Sequence, residues 1–293
     1  MGYIVAVHTG AGNCSEKTIT LLKNLCETVC NEVDCLLAEG ASCETAAIAG
    51  ACLLEESPLT NAGVGSSITC NKEIRTEASL CSSRWGFHSA GDLPDVKHPI
   101  KVVEMMMKET QEAGPKYIPP RIMVGQRAVD RYRKFDDSIS PSNLSTRQSI
   151  SMFHRAEKYF SGRKRRRLEG GFADGNTEQS TVLVSKDETV SAGTSNSPSF
   201  SKSEINVELE NPIRSISPAE SSSCTTTSNN PLDENVQDTV GVICIDTRGE
   251  MACAASSGGS VYKYTGRLGG YIFVFPTPFS YIALVIRCRV MRF

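Results

Sequence analysis

The twelve residues 235–246, NVQDTVGVICID, mark the point where a polar segment ends and a buried strand begins. Ser, Thr and Asn dominate the residues before them, whereas Thr239 opens a run of β-branched and small apolar residues that is typical of a buried strand. A hydroxyl at the start of a strand, behind a segment that can be cut, is what a self-processing nucleophile requires. Cleavage of the Asp238–Thr239 bond would free an α-amine with a pKa of about 7.7–8.0, which suits a base that activates the hydroxyl of the same residue. The alternative is a threonine placed there by β-propensity alone.

A second strand follows at residues 251–257 and ends in a pair of serines. The turn between the strands supplies Gly249 for the bend, so the two strands read as a β-hairpin. A hairpin returns the end of its second strand to the start of its first. Ser256 and Ser257 are therefore predicted to lie near Thr239.

The residues after the hairpin add candidates for substrate binding. Gly258 and Gly259 would leave room for a substrate backbone, and Arg267 could hold a substrate carboxylate through a bidentate pair. Taken singly, each serine or arginine here is equally well explained as an ordinary surface residue.

The first 135 residues carry strand and helix patterns in turn. Residues 3–7 form a short apolar strand, and apolar residues then recur from Ile19 at steps of three and four until Gly40. Ser42 can cap a second helix, which Pro58 stops. Three later segments complete this part, strand-like residues at 67–80 and helices at 100–113 and 120–135.

Residues 136–238 are polar and have few aromatic side chains, so they cannot bury enough apolar surface to offset the entropy of ordering them. We predict a mobile linker with a helical stretch near residues 151–160. Its basic run favours nuclear import by a receptor, with a solvated charged patch as the alternative, and consists of Arg163, Lys164, Arg165, Arg166 and Arg167. Nucleic-acid binding is not expected, because no aromatic or helical recognition pattern accompanies these charges.

Residues 270–293 form an apolar, aromatic tail. The 17 uncharged residues at 270–286 are near the short limit for a membrane span, and Pro276 and Pro278 interrupt them. We predict an edge strand or an end unrelated to the rest of the chain, and no membrane association.

Composition limits the remaining functions. The net charge of −2 gives no overall attraction to nucleic acid or membranes. The 12 cysteines include no C-x-x-C pair and the four histidines are scattered, so we predict no metal site and reduced core thiols such as Cys26, Cys30 and Cys244. No secretory signal precedes the first strand, which favours the nucleus and cytoplasm.

Several motifs occur in the order found in one family. HTGAG (8–12), SPLTNAGVGSS (57–67), DTVGVICID (238–246), AASSGG (254–259) and GRLG (266–269) resemble the type 2 asparaginases. These are N-terminal-nucleophile hydrolases that cleave themselves before a threonine. The resemblance covers about 1–135 and 239–269, and it implies an α+β fold, the αββα four-layer sandwich. In that arrangement residues 1–135 form the α-subunit part, 136–238 the linker and 239–269 the start of the β-subunit.

Within the family the chain resembles the threonine aspartases (taspases), which cut proteins after aspartate and carry a long basic linker with Asp before Thr. The resemblance implies Thr239 as nucleophile, Ser257 as assisting hydroxyl and Arg267 as anchor for the substrate aspartate. It also implies that Asn61 lies in the loop near the active site. The alternative is that Asn61 is an ordinary turn residue. Gly10 and Gly12 match the flexible glycine loop. No cofactor is implied, and a homodimer acting on protein substrates with an internal aspartate is expected.

The resemblance stops at residue 270. Nothing in 270–293 matches the segment that lines the oxyanion site in the family, and losing one oxyanion donor costs about a hundred- to a thousandfold in rate. We therefore expect a sandwich that is incomplete at the C-terminus, and weak or absent protease activity. The alternatives are an L-asparaginase or isoaspartyl peptidase, and a catalytically dead partner of the full-length enzyme.

Overall fold

The computed structural model describes residues 2–11, 14–112, 117–139, 142–169, 239–269 and 282–289. Its helices are α1 (Glu16–Ala38), α2 (Cys43–Glu56), α3 (Pro99–Glu112), α4 (Gln126–Tyr132) and α5 (Arg147–Glu169), with a short 3₁₀ turn at Asp137–Ile139. Its strands are β1 (Tyr3–Ala11), β2 (Arg75–Ser82), β3 (Gly86–Pro94), β4 (Ile122–Val124), β5 (Val240–Ile245), β6 (Met251–Ser257) and β7 (Ile282–Arg289).

The seven strands form one sheet in the order β4-β3-β2-β6-β5-β1-β7. All neighbours are antiparallel except β3 and β4. The predicted hairpin is confirmed, since β5 and β6 pair from Val240–Ser256 to Ile245–Met251. This hairpin lies in the middle of the sheet, between β1 and β2.

Helices α1 and α2 begin at serine caps. The Oγ atom of Ser15 accepts the backbone N–H of Thr18 at 3.2 Å, and the Oγ atom of Ser42 accepts that of Thr45 at 3.2 Å. The predicted cap at Ser42 is therefore confirmed. Gly40 has a φ of 88°, the left-handed conformation that commonly follows a helix end.

The two helices predicted between residues 100 and 135 have different outcomes. The first is confirmed as α3. The second is only partly correct, because Ile122–Val124 instead form β4, which pairs with β3, and the helix begins at Gln126. Gly125 separates the two with a φ of 67°, which the interior of an α-helix does not accommodate.

One face of the sheet packs against α1, α2 and α3 and holds the core. Val7, Leu80 and Val242 point to this face and are completely buried. Gly50 allows α2 to approach closely, since a Cβ atom there would lie 2.8 Å from Val33 and 3.2 Å from Val242.

The opposite face carries the alternate side chains of the same strands. Ile243 and Met251 are 45% and 52% exposed there, and Ala6 and Cys253 are half-buried. The described ranges thus give a mixed α/β arrangement of one sheet and packed helices, consistent with the asparaginase type of fold. The second sheet of a four-layer sandwich is not seen in these ranges.

The first part of the predicted linker contains helix α5, which packs against the rest of the fold. The helical stretch expected near residues 151–160 is confirmed within this helix. Phe153 forms a small second apolar cluster with Ile68, Ile74 and Leu144, and its ring centroid lies 5.7 Å from that of Tyr262. Residues 170–238, the rest of the predicted linker, lie outside the described residues.

The tail contributes β7, which pairs with the outer edge of β1, for example Ile286 with Ala6. The edge strand predicted for the tail is therefore confirmed over Ile282–Arg289. Within the described ranges, no helix combines the length and apolar character that crossing a bilayer requires.

Candidate active site

Thr239 lies directly before β5 and is 6% exposed. The first pair of the β5–β6 ladder is Val240 with Ser256. One step further along, Thr239 is level with Ser257. The hairpin therefore brings the two predicted hydroxyls to the same end of the sheet.

The two neighbouring serines point to opposite faces, because side chains alternate along a strand. Ser256 shares its face with the buried Ala252 and Ala254, and lies near Glu55 of α2. Ser257 shares the other face with Thr239. Its Oγ atom accepts the backbone N–H of Gly259 at 2.9 Å. Of the two serines, Ser257 is the one that the fold aligns with the threonine.

The loop after α2 is fixed to the end of β6 by Asn61. The Nδ2 group of Asn61 donates to the carbonyl of Gly259 at 2.9 Å, and its Oδ1 atom accepts the N–H of Ser67 at 2.9 Å. The backbone carbonyl of Asn61 accepts the N–H of Gly258 at 2.6 Å. Asn61 is 4% exposed, so it holds this loop against the site from inside.

The two glycines after Ser257 are required by close packing. A Cβ atom at Gly258 would lie 2.5 Å from the Oδ1 atom of Asn61 and 2.6 Å from the Cβ atom of Ser66. Gly259 has a φ of 69°, and a Cβ atom there would lie 2.4 Å from the Nζ atom of Lys263. Close packing against the protein's own side chains therefore explains both glycines, and their contact with a substrate backbone stays a prediction.

Two buried charged residues at this site were missed by the sequence analysis. Glu77 pairs with Ser257 across β2 and β6 and is 1% exposed. Its Oε2 atom accepts the N–H of Gly269 at 3.1 Å, while its Oε1 atom has no hydrogen-bond partner within the described residues. In the sequence, Glu77 could be recognised only as a charged residue within a strand of mostly small side chains.

Lys263 is the second. Its Nζ group is 3.0 Å from the carbonyl of Arg75, to which it donates. Burial lowers the pKa of the Lys263 ammonium, and the charge of Glu77 opposes that shift. Arg267 is exposed and near enough for its charge to act on Lys263. The ammonium of Lys263, within range of the charge of Arg267, therefore lies near the Glu77 carboxylate that pairs with Ser257.

Gly10 lies at the same end of the sheet as Thr239. The β1–β5 pairing ends at His8 with Gly241, and Gly10 follows two residues later with a φ of 91°. A Cβ atom at Gly241 would lie 2.3 Å from the Nε2 atom of His8, so this ring passes directly over β5. Gly12, Asp238 and the side chains of the basic run at 163–167 lie outside the described residues.

The arrangement suits acyl transfer. A buried threonine hydroxyl, a second hydroxyl beside it and nearby cations are the parts needed to attack a carbonyl and to bind a substrate carboxylate. The three described side chains that could together hold a metal lie elsewhere, among the helices, and are Cys52, Glu55 and His98.

Comparison with known proteins gives two findings. A family model described as Asparaginase (Asparaginase_2) matches residues 1–271. An isoaspartyl peptidase/L-asparaginase from Nostoc sp. is 30% identical over 103 residues. That alignment covers 34% of this chain, and the chain spans only 32% of the length of this relative.

The family match extends over most of the chain and includes the loop of Asn61, the hairpin that begins at Thr239 and the glycines that follow it. The chain therefore belongs to the Asparaginase_2 family of N-terminal-nucleophile hydrolases.

Proposed function

We propose that this protein is a threonine-type N-terminal-nucleophile hydrolase that cleaves itself between Asp238 and Thr239 and then cuts protein substrates after aspartate, with the weak activity expected from the unmatched residues 270–293. The observation that carries the proposal is the position of Thr239, nearly buried at the start of a central strand and level with Ser257 on the same face. Propensity alone explains a threonine in a strand, but it does not explain the second hydroxyl beside it or the cations that follow.

The steps follow from ordinary acyl-transfer chemistry. The Oγ atom of Thr239 attacks the carbonyl carbon of Asp238, the C–N bond breaks, and the acyl group moves to oxygen while the amine takes up a proton. Water then hydrolyses the ester, which returns the threonine hydroxyl and leaves a carboxylic acid on Asp238. The freed α-amine serves as base in later turnovers. Ser257 orients the nucleophile, and Arg267 binds the carboxylate of the substrate aspartate.

The choice of protein substrates rests on the residue before Thr239 and on the long basic segment. Asp238 is then the first aspartate that the enzyme cuts. The run at 163–167 directs nuclear import, so the protein divides between nucleus and cytoplasm. We also propose a homodimer.

We also propose that the complete fold is the four-layer αββα sandwich. Ile243 and Met251 expose apolar surface on the sheet face that carries Thr239. A second sheet packed on that face would bury them and would close one side of the active site.

A second candidate function is hydrolysis of small substrates, because the relative from Nostoc sp. is described as an isoaspartyl peptidase/L-asparaginase. The two candidates differ in what is turned over. A peptide with an internal aspartate tests the first, and free asparagine with an isoaspartyl dipeptide tests the second. A chain that turns over neither would be the catalytically silent partner.

The deciding experiment is the intact mass of the purified chain beside that of the Thr239→Ala variant. We expect the wild type to yield two pieces, residues 1–238 and 239–293, because the hydroxyl attacks the bond before it. Thr239→Ala should remain one chain, and Thr239→Ser, which keeps a hydroxyl, should still divide at the same bond. A wild-type chain that stays uncut during prolonged incubation, while its circular dichroism shows a folded protein, would contradict the proposal.

A further inference from the structure

A cysteine, a glutamate and a histidine converge on the helix side of the sheet, away from Thr239. Cys52 and Glu55 lie three residues apart on α2, so they share one face of the helix. His98 lies directly before α3. One ligand atom from each residue lies within 4.8 Å of the other two, and His98 Nδ1 is 3.3 Å from Glu55 Oε2.

The surroundings of this group favour a cation. Glu55 is completely buried, and burial raises the pKa of its carboxyl group, while His98 lowers it. Burial raises the pKa of the Cys52 thiol, and the carboxylates of Glu55, Glu104 and Glu56 add to this shift against the single ammonium of Lys101. A carboxylate removed from water is costly unless an opposite charge compensates it.

We propose that Cys52 Sγ, Glu55 Oε2 and His98 Nδ1 bind one zinc ion, with water in the fourth position. Thiolate, imidazole and carboxylate are ligands that zinc accepts in tetrahedral sites. With zinc bonds of roughly 2.0–2.3 Å, tetrahedral ligand atoms lie roughly 3.3–3.8 Å apart. The pair formed by His98 and Glu55 already has this spacing, and the thiol of Cys52 needs a shift of at most about 1 Å, within reach of a side-chain rotation.

The other ring nitrogen of His98 has the partner that such a site uses. His98 Nε2 is 3.4 Å from Glu56 Oε1, so a carboxylate lies beside the ring nitrogen that would carry the proton when Nδ1 faces the metal. Glu56 also pairs with Lys97 at 3.1 Å and is half exposed. Solvent therefore reaches the edge of the cluster, and zinc can bind as the thiol proton leaves to water.

A zinc ion here would tie three parts of the fold together. Glu55 Oε1 accepts the N–H of Ile100 at 3.2 Å, which fixes the start of α3. The backbone carbonyl of Glu55 accepts the N–H of Val64 at 2.8 Å, in the loop that carries Asn61. The metal would thus stabilise the junction of α2, α3 and this loop, whether or not the protein cuts itself.

Cobalt provides the direct test, because Co²⁺ bound to a thiolate gives a sulfur-to-metal absorption band in the near ultraviolet. The full chain is freed of metal with a chelator and titrated with Co²⁺. We expect the band to saturate at one ion per chain and to disappear when Zn²⁺ is added. Zinc at a hundredfold excess over its Kd should raise Tm by roughly 5 °C.

Matched variants assign the site. Cys52→Ser should lose the band and the rise in Tm, and His98→Gln should weaken zinc binding at least tenfold. Cys253→Ser, which changes a partly buried cysteine on β6, should keep both signals. Circular dichroism establishes that each variant is folded. If Cys52→Ser does not fold, the loss of zinc binding in His98→Gln tests the site.

If His98 only forms ion pairs with Glu55 and Glu56, Co²⁺ will give no thiolate band and Zn²⁺ will leave Tm unchanged. Either of these results would overturn the proposal, as would a folded Cys52→Ser variant that keeps the wild-type band.

Discussion

The two faces of the central sheet differ in what the same strands present to them. On the helix side, Leu80, Val242 and Ala254 are completely buried and form a continuous core. On the other side, Ile243 and Met251 remain about half exposed, while Thr239 and Ser257 are buried at one end. Alternation along a strand thus separates two tasks, since one face supplies cohesion and the other carries the polar groups that can do chemistry.

The comparison predicts the largest effect in the core. Leu80→Ala should lower the free energy of unfolding by about 2–5 kcal/mol, because it removes transfer energy and leaves a cavity. Ile243→Ala should cost less than about 1 kcal/mol as long as no second sheet covers its face, because nearly half of the side chain then contacts water. Urea denaturation of both variants measures the difference. If both variants lost a similar free energy of unfolding, the sheet face that carries Ile243 would be covered as tightly as the face that packs against the helices.

The next effect concerns the two adjacent serines. Ser257→Ala should slow cleavage of the Asp238–Thr239 bond by about a hundredfold, the range for loss of a group that assists proton transfer. Ser256→Ala, one residue away on the helix face, should change the rate by less than about threefold. Both rates come from gel densitometry of the uncut chain over time. The assignment of faces would be wrong if the two variants slowed cleavage equally.

The smallest expected effect is a pH dependence of stability on the helix side. Burial lowers the pKa of His88 from 6.5 to about 4, with the nearby Arg121 adding to the shift. His88 is therefore neutral in the folded protein, and its contribution to stability is present above pH 6.5 and is lost as pH falls toward 4. The loss should be on the order of 2 kcal/mol.

Urea denaturation between pH 4 and 7 measures this slope, which His88→Gln should reduce. His154→Gln is the control, because the side chain of His154 on α5 is 67% exposed. Equal slopes in the wild type and in His88→Gln would show that His88 is not the group that titrates.

Sequence patterns predicted the helix caps, helix ends and hairpin of this fold because residues close in the chain determine these features. The cap at Ser42, the end of α1 near Gly40 and the hairpin that starts at Thr239 all depend on neighbours in the chain. The same holds for the placement of Ser257, since hairpin geometry alone brings it level with the threonine.

What could not be predicted depends on partners far away in the sequence. β7 pairs with β1 across almost the whole length of the chain, and no local signal selects that edge. Glu77 and Lys263 are buried although charged residues usually remain at the surface. The zinc proposal has the same origin, because Cys52 and His98 are too far apart to form a recognisable metal motif.

The place of the β5–β6 hairpin has a consequence for a chain cut before Thr239. The carboxyl-terminal piece would supply the middle strands of a sheet whose flanking strands β1 and β2 belong to the other piece. The two polypeptides would behave as interlocked subunits, which co-migrate in native gels and part only under denaturing conditions. The small piece alone would have no template for its strands, so a split gene should yield folded protein only when both halves are expressed together.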